Sequence, residues 1–280
     1  MKLLNQHASF SGWQRFYRHD STIIGLPMRF GLFVPETGNL SNVPLLVCLA
    51  GLSCNEETFA SKAVAQAYAS QAKIALLFPD TSPRGANIPG ESESWEFGGG
   101  AGFYLDATEP PWSSFYKMES YIVKELIPIV VAEFGLGRSF VGITGHSMGG
   151  HGALTLAFKY PRIFGSVSAF APICSAMRSP WGRHALPRYL GGNEQAWRRA
   201  DACELLTSTG VRFPDGILID QGMADEYVHS QLKPELLEEA CRIAGQSVTL
   251  RRHERFDHSY YFVSTFVADH VSWHAKAAGR

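Results

Sequence analysis

The sequence predicts an α/β protein with a mostly parallel central sheet and helices on both faces. Three observations carry that prediction. Short, nearly continuous apolar runs recur along the 280 residues, the pattern of strands buried on both faces. They alternate with helical patterns, the order that builds a parallel sheet. One run, ending at Phe140–Thr144, leads straight into Gly145-His146-Ser147-Met148-Gly149 and then an Ala/Leu-rich helical pattern from Gly152 to Lys159. Gly-x-Ser-x-Gly in that setting is a strand, sharp turn and helix that hold a serine hydroxyl out at the end of a parallel strand. A side chain at Gly145 or Gly149 would collide with the adjoining strand or helix. The helix that follows favours negative charge developing beside the serine.

Taken in order, Trp13–Val34 is rich in aromatic and β-branched residues with a break at Asp20-Ser21, which predicts two antiparallel strands opening the sheet. Val43–Ala50 is the first buried strand, Gly51-Leu52-Ser53-Cys54-Asn55 a turn, and a helical pattern runs to about Gln71. Ile74–Phe78 is the next buried strand. From Thr81 to Trp112 the periodicity fails, and a loop so long with so many aromatic residues reads as functional rather than disordered. A long helix is expected from about Ser113 to Phe134 with a bend at Pro128. After the elbow come a strand at Val167–Phe170, an irregular stretch at Pro172–Trp197 and a strand at Gly216–Asp220. A helix at Leu232–Ala244, a strand at Ser247–Arg252 and a last helix at Tyr260–Ala275 follow. No repeat or linker interrupts the chain, so residues 1–280 are expected to form one domain.

Composition excludes several classes. A hydrophobic fraction of 45% with 18% charged residues is ordinary for a globular protein. A net charge of −1 leaves no electrostatic footprint for nucleic acid or an anionic membrane. No apolar run is long enough to span a bilayer, since Tyr121–Phe134 is broken by Lys124, Glu125 and Pro128. The start, Met1 to His7, turns polar too soon for a signal peptide. The five cysteines form no Cys-x-x-Cys pair and point to a reducing compartment, so a cytoplasmic location is expected.

A serine hydroxyl becomes a nucleophile only when a base takes its proton, and the base is held by a third group. On a sheet of this kind the chain order is serine, acid, histidine. His258, in the loop before the last helix, is preferred as base over His253 at a strand end. Asp225, beyond the Gly222 turn, is preferred as acid over Asp220 or Glu226. The oxyanion hole needs two backbone N–H groups; Met148 directly follows the nucleophile, and Leu52 lies in the turn after Val43–Ala50. Cys54, His146, Trp95 and Trp181 are weaker candidates near the site, with packing as the plain alternative for each; Phe97 is weighed with the two tryptophans as acyl-pocket lining. His270 and His274 are four residues apart, but on a stripe with Phe266 and with no intervening glutamate they read as packing residues and not a metal site.

These residues resemble the S-formylglutathione hydrolases, also called esterase D. The likeness runs from Gly12-Trp13-Gln14-Arg15-Phe16-Tyr17 through Gly51-Leu52-Ser53-Cys54, Pro79-Asp80-Thr81-Ser82-Pro83-Arg84-Gly85 and Gly100–Thr108. It continues through Gly145–Leu154, Ser168–Cys174, Pro180-Trp181-Gly182, Asp220–Glu226 and Asp257–Phe262. The resemblance implies an α/β-hydrolase fold, a homodimer without cofactor, and hydrolysis of S-formylglutathione to glutathione and formate in formaldehyde detoxification. It implies the triad Ser147, Asp225 and His258, oxyanion donors at Leu52 and Met148, and a thiol-sensitive cysteine at Cys54. Ala50, Ser53, Met223 and Arg255-Phe256 depart from the family pattern without removing a triad group. A broad short-chain carboxylesterase or acyltransferase with the same triad is the alternative. Lys62, Arg84 and Arg183 are candidate contacts for the glutathione carboxylates, each with solvated surface as its default.

Overall fold

A computed structural model describes all 280 residues. Nine strands form one sheet in the order β1-β2-β3-β5-β4-β6-β7-β8-β9. They are β1 Lys2–Ala8, β2 Gly12–Asp20, β3 Pro27–Pro35, β4 Leu45–Leu49, β5 Ala75–Pro79, β6 Val141–Gly145, β7 Ser166–Phe170, β8 Ile217–Gly222 and β9 Val248–His253. The ladders β1/β2, β2/β3 and β3/β5 are antiparallel, and every later ladder is parallel. β4 through β8 are buried at every residue, so the middle of the sheet is covered on both sides, as the unbroken apolar runs of β4 and β5 require.

The helices are α1 Glu56–Lys62, α2 Ala65–Ala72, α3 Met118–Ser120, α4 Ile127–Phe134, α5 Met148–Lys159, α6 Pro180–Leu190, α7 Glu194–Arg198, α8 Ala202–Thr209, α9 Pro234–Ala244 and α10 Tyr260–Ala277. α10 packs against α2, β7 and β8, while α5 packs against β4, β6, β7 and α8. The core joins 78 buried side chains in one cluster.

Four departures from the sequence reading have local causes. β1 was not expected because all seven of its residues are exposed and show no apolar alternation; its pairing with β2 alone holds it. The helix expected to run to Gln71 is two helices, divided at Val64, which takes a left-handed φ of 59°. The helix before Phe134 starts at Met118, and Tyr121–Leu126 is wound as a π-helix upstream of Pro128. Pro172–Trp197 is not irregular throughout: Pro180 opens α6, and its Trp, Gly and internal Pro187 hide the helical period that buries Trp181, Leu186 and Tyr189.

The long 81–112 segment is packed into the core. Phe103, Tyr104 and Trp112 are buried, the Tyr104 hydroxyl donates to the Ala50 carbonyl at 2.8 Å, and the Ser53 N–H donates to the Gly100 carbonyl at 2.9 Å. This segment therefore pins the turn after β4, directly beside the nucleophile elbow.

Candidate active site

Ser147 sits between β6 and α5 with φ 60° and ψ −120°, a backbone conformation that a non-glycine residue keeps only when its surroundings hold it there. They do so at close range. A Cβ on Gly145 would run into the Gly149 carbonyl, and one on Gly149 into the Leu49 carbonyl. The Ser147 N–H donates to the Phe170 carbonyl at 3.0 Å, and the His146 N–H to the Leu49 carbonyl at 3.0 Å, so β7 and β4 clamp the turn from its two flanks.

Three side chains far apart in the chain meet here. His258 Nδ1 lies 2.5 Å from Asp225 Oδ2, and His258 Nε2 lies 2.9 Å from Ser147 Oγ. An ionised carboxylate only accepts, so Nδ1–H donates to Asp225 and Nε2 is left to accept the serine proton. Asp225 is itself fixed by the Tyr227 N–H, which donates to Oδ1 at 2.8 Å. Asp225 and Ser147 are buried, at 3% and 4% exposure.

The rejected alternatives have other partners. The Asp220 carboxylate takes two hydrogen bonds from Arg251, Nε and Nη2 each at 2.6 Å, and lies 3.2 Å from His270 Nε2. Burial alone would raise its pKa, but the hydrogen bonds from His270 and Arg251 outweigh burial and hold it well below the carboxylate range. His253 lies 3.3 Å from the same carboxylate. His274 bridges Ser166 and Ser168 at 2.5 and 2.9 Å, and His270 lies 2.9 Å from Ser168. His270 and His274 are thus members of a buried hydrogen-bond network beneath β7 and β8.

Leu52 and Ser147 line one cleft of about 740 Å³. The Leu52 N–H makes no hydrogen bond within the protein. Met148 is the first residue of α5, where helix geometry leaves the N–H without a carbonyl partner. Both amides are therefore without a carbonyl partner in the protein. Cys54, Trp95, His146 and Trp181 all line the same cleft. Burial pushes the Cys54 thiol up, against the lowering effect of Thr58 and nearby Lys62 and Arg84, so it is a poor nucleophile at neutral pH. Trp95, Trp181, Tyr227 and His258 form a row of rings with successive centroids 5.5, 4.8 and 5.2 Å apart. Phe97 is absent from this wall: it packs in the core on Trp112 and Tyr189 at 4.6 and 4.7 Å.

Sequence reasoning missed Tyr227, Tyr260 and Tyr261, which line the cleft beside Ser259, Ser264 and Lys62. The only signal for Tyr227 was its position two residues after Asp225, and for the others their adjacency to His258.

With this geometry in view, the comparisons with known proteins are specific. The Esterase family model matches residues 21–275. The S-formylglutathione hydrolase of Paracoccus denitrificans (strain Pd 1222) is 45% identical over 276 residues, 99% of this chain and 98% of that protein. The structure of an S-formylglutathione hydrolase from Agrobacterium tumefaciens superposes with a TM-score of 0.96 at 44% identity, covering 100% of both chains. A ferulic acid esterase from Anaeromyces mucronatus shares the fold alone, with a TM-score of 0.67 at 16% identity over 99% of this chain and 95% of its own. Similarity of that extent, over essentially the whole length, makes this chain an α/β-hydrolase belonging to the S-formylglutathione hydrolase family.

Proposed function

We propose that this protein is a serine thioesterase that hydrolyses S-formylglutathione to glutathione and formate through Ser147, His258 and Asp225. His258 Nε2 takes the Ser147 proton as Oγ attacks the formyl carbonyl. Asp225 holds the tautomer and stabilises the imidazolium. The N–H groups of Leu52 and Met148 receive the developing oxyanion. Collapse breaks the C–S bond, and the imidazolium returns its proton to the departing glutathione sulfur. Water then attacks the formyl ester on Ser147, giving its proton to His258, and formate leaves as the serine is restored.

The observation that carries this reading is the relay itself, 2.5 Å from carboxylate to imidazole and 2.9 Å from imidazole to hydroxyl, at the end of a strand whose turn holds the serine at φ 60°. The test compares kcat/KM for S-formylglutathione with that for a neutral aryl acetate. A preference for the thioester is expected, and a preference for the acetate overturns the assignment. Ser147→Ala is expected to leave only residual turnover, and a wild-type rate in that variant overturns the mechanism.

The same reading includes a role in formaldehyde detoxification, a cytoplasmic location, one domain and a homodimer. The five free cysteines support the location, and the single buried cluster supports one domain. Exposed Leu3, Leu4 and Phe10 at the β1 edge support self-association; light scattering after size exclusion measures it directly.

A further inference from the structure

Hydrolysis of a formyl thioester leaves most of the cleft to the leaving group. The acyl part is one carbon and one oxygen, whereas the cleft measures about 740 Å³. Glutathione is a tripeptide with two carboxylates and one ammonium near neutral pH, hence net negative. A site built for it needs a cation at the mouth.

Apart from histidines, Lys62 is the one ionisable cation or anion of Asp, Glu, Lys and Arg type that lines the cleft. Arg84, the other basic candidate nearby, is already committed: Nε and Nη2 bind the Asp80 carboxylate at 3.1 to 3.2 Å and 2.7 Å, and Nη2 also donates to the Cys54 carbonyl at 2.7 Å. It faces a separate cavity with Arg29, Glu56 and Asp80. Arg183 is exposed and does not line the cleft. Lys62 takes part in none of the ion pairs made by the chain's lysines and arginines.

Its position is set by the fold. Lys62 ends α1, in the last turn, where the helix dipole favours a cation. Its Nζ lies 6.0 Å from the centre of the Tyr260 ring. Tyr260 packs on His146 at 5.2 Å and His146 on His258 at 4.6 Å. A row of rings thus connects the ammonium to the imidazole. Beside Lys62 the mouth carries Val64 and Tyr261, 44% and 85% exposed. The exposed parts of these side chains are available to shield an ion pair from water on one side.

We propose that Lys62 anchors a carboxylate of the leaving thiol, so that the α1–α10 side of the cleft selects an anionic peptide thioester over a neutral ester. This rests on the thioesterase reading above. Trp95, Trp181 and Tyr227, which line the same cleft, bring no charged group to it.

The test uses Lys62→Met, Lys62→Glu and Lys62→Arg, all at an exposed helix end. Glutathione and its diethyl ester are titrated as competitive inhibitors of aryl acetate hydrolysis, and KM for S-formylglutathione is measured alongside. For Lys62→Met the Ki of glutathione and the KM of the thioester are expected to rise about two- to fivefold, as for loss of one ion pair at a cleft mouth. Lys62→Glu exceeds that, Lys62→Arg stays near wild type, and the diethyl ester does not distinguish wild type from Lys62→Met. Added NaCl weakens glutathione inhibition of the wild type and leaves that of Lys62→Met flat. Equal inhibition of wild type and Lys62→Met by glutathione, or none of either, overturns the proposal. A wild type that is inhibited by glutathione through Lys62 yet does not turn over S-formylglutathione overturns the thioesterase reading instead.

Discussion

His146 packs against His258 with ring centroids 4.6 Å apart and planes inclined at 42°, and against Tyr260 at 5.2 Å. Both ring nitrogens of His146 are buried without a hydrogen-bond partner. Burial, with the nearby His258, pushes its pKa well below the imidazole range. A neutral ring there supports the His258 imidazole without repelling the imidazolium formed when Ser147 loses its proton. His146→Ala removes that support, and kcat is expected to fall by about 10²-fold, as for a small misplacement of a reacting group. His146→Phe restores the wall and is expected to recover most of the loss. Steady-state kinetics of the two variants checks this; equal losses would show that ring packing is not the role.

Two buried aspartates at the end of β8 separate stability from chemistry. Asp220→Asn leaves Arg251 with Asp269 as its only carboxylate partner and is expected to cost about 1–3 kcal/mol, as for leaving buried polar groups partly unpaired, while kcat per folded molecule is retained. Asp225→Asn is expected to lower kcat by about 10⁴-fold with far less effect on melting, because the amide cannot hold the Nδ1–H tautomer. Because the folded-state pKa of Asp220 is depressed, its contribution is present above the unfolded carboxylate value and drains away as pH falls below it. The melting-temperature gap between wild type and Asp220→Asn should therefore narrow in acid.

Gly51 sets the approach of the oxyanion turn. A Cβ there would lie 3.2 Å from Ser147 Cβ and 3.4 Å from the His146 carbonyl oxygen, so Gly51→Ala must push the Gly51-Leu52 turn away from the elbow. Displacing one oxyanion donor costs about 10²–10³-fold in kcat, and Gly51→Ala is expected to approach the lower figure. Active-site titration with a serine-directed phosphonate should still label Ser147, which separates a displaced donor from a lost nucleophile.

Glu56, the first residue of α1, gives the opposite pH sign. Burial, with the Asp80 charge beside it, raises its pKa to about 6, and half-exposed Arg29 at 4.0 Å offsets this only in part. The folded state holds this proton more tightly than the unfolded one, so stability falls as pH rises from the ordinary carboxylate range to about 6. Glu56→Gln is expected to raise the melting temperature at pH ~8, by at most about 2 kcal/mol in stability, and to give no gain at pH ~4. Thermal denaturation at the two pH values checks the crossover.

The sheet centre and the elbow were legible because their information is local. The unbroken apolar runs of β4 and β5 demand burial on both faces, the shorter apolar stretches of β6 to β8 are set between turn and helix signals, and two glycines around Ser147 demand a turn with no room for side chains. β1, with no buried face, and α6, with Pro187 inside it, carry no such pattern. What meets what was not local. Arg251 claims Asp220 because parallel pairing sets β9 beside β8 in one register. His258 reaches Asp225 because its loop leaves that same edge. Lys62 stays unpaired while Arg84 is consumed by Asp80, a difference invisible in two equally basic side chains. The sequence alone determined the elements and the chemical groups on hand; tertiary structure decided which groups are bonded, buried or free, because those states depend on distances between residues that only the packed sheet brings together.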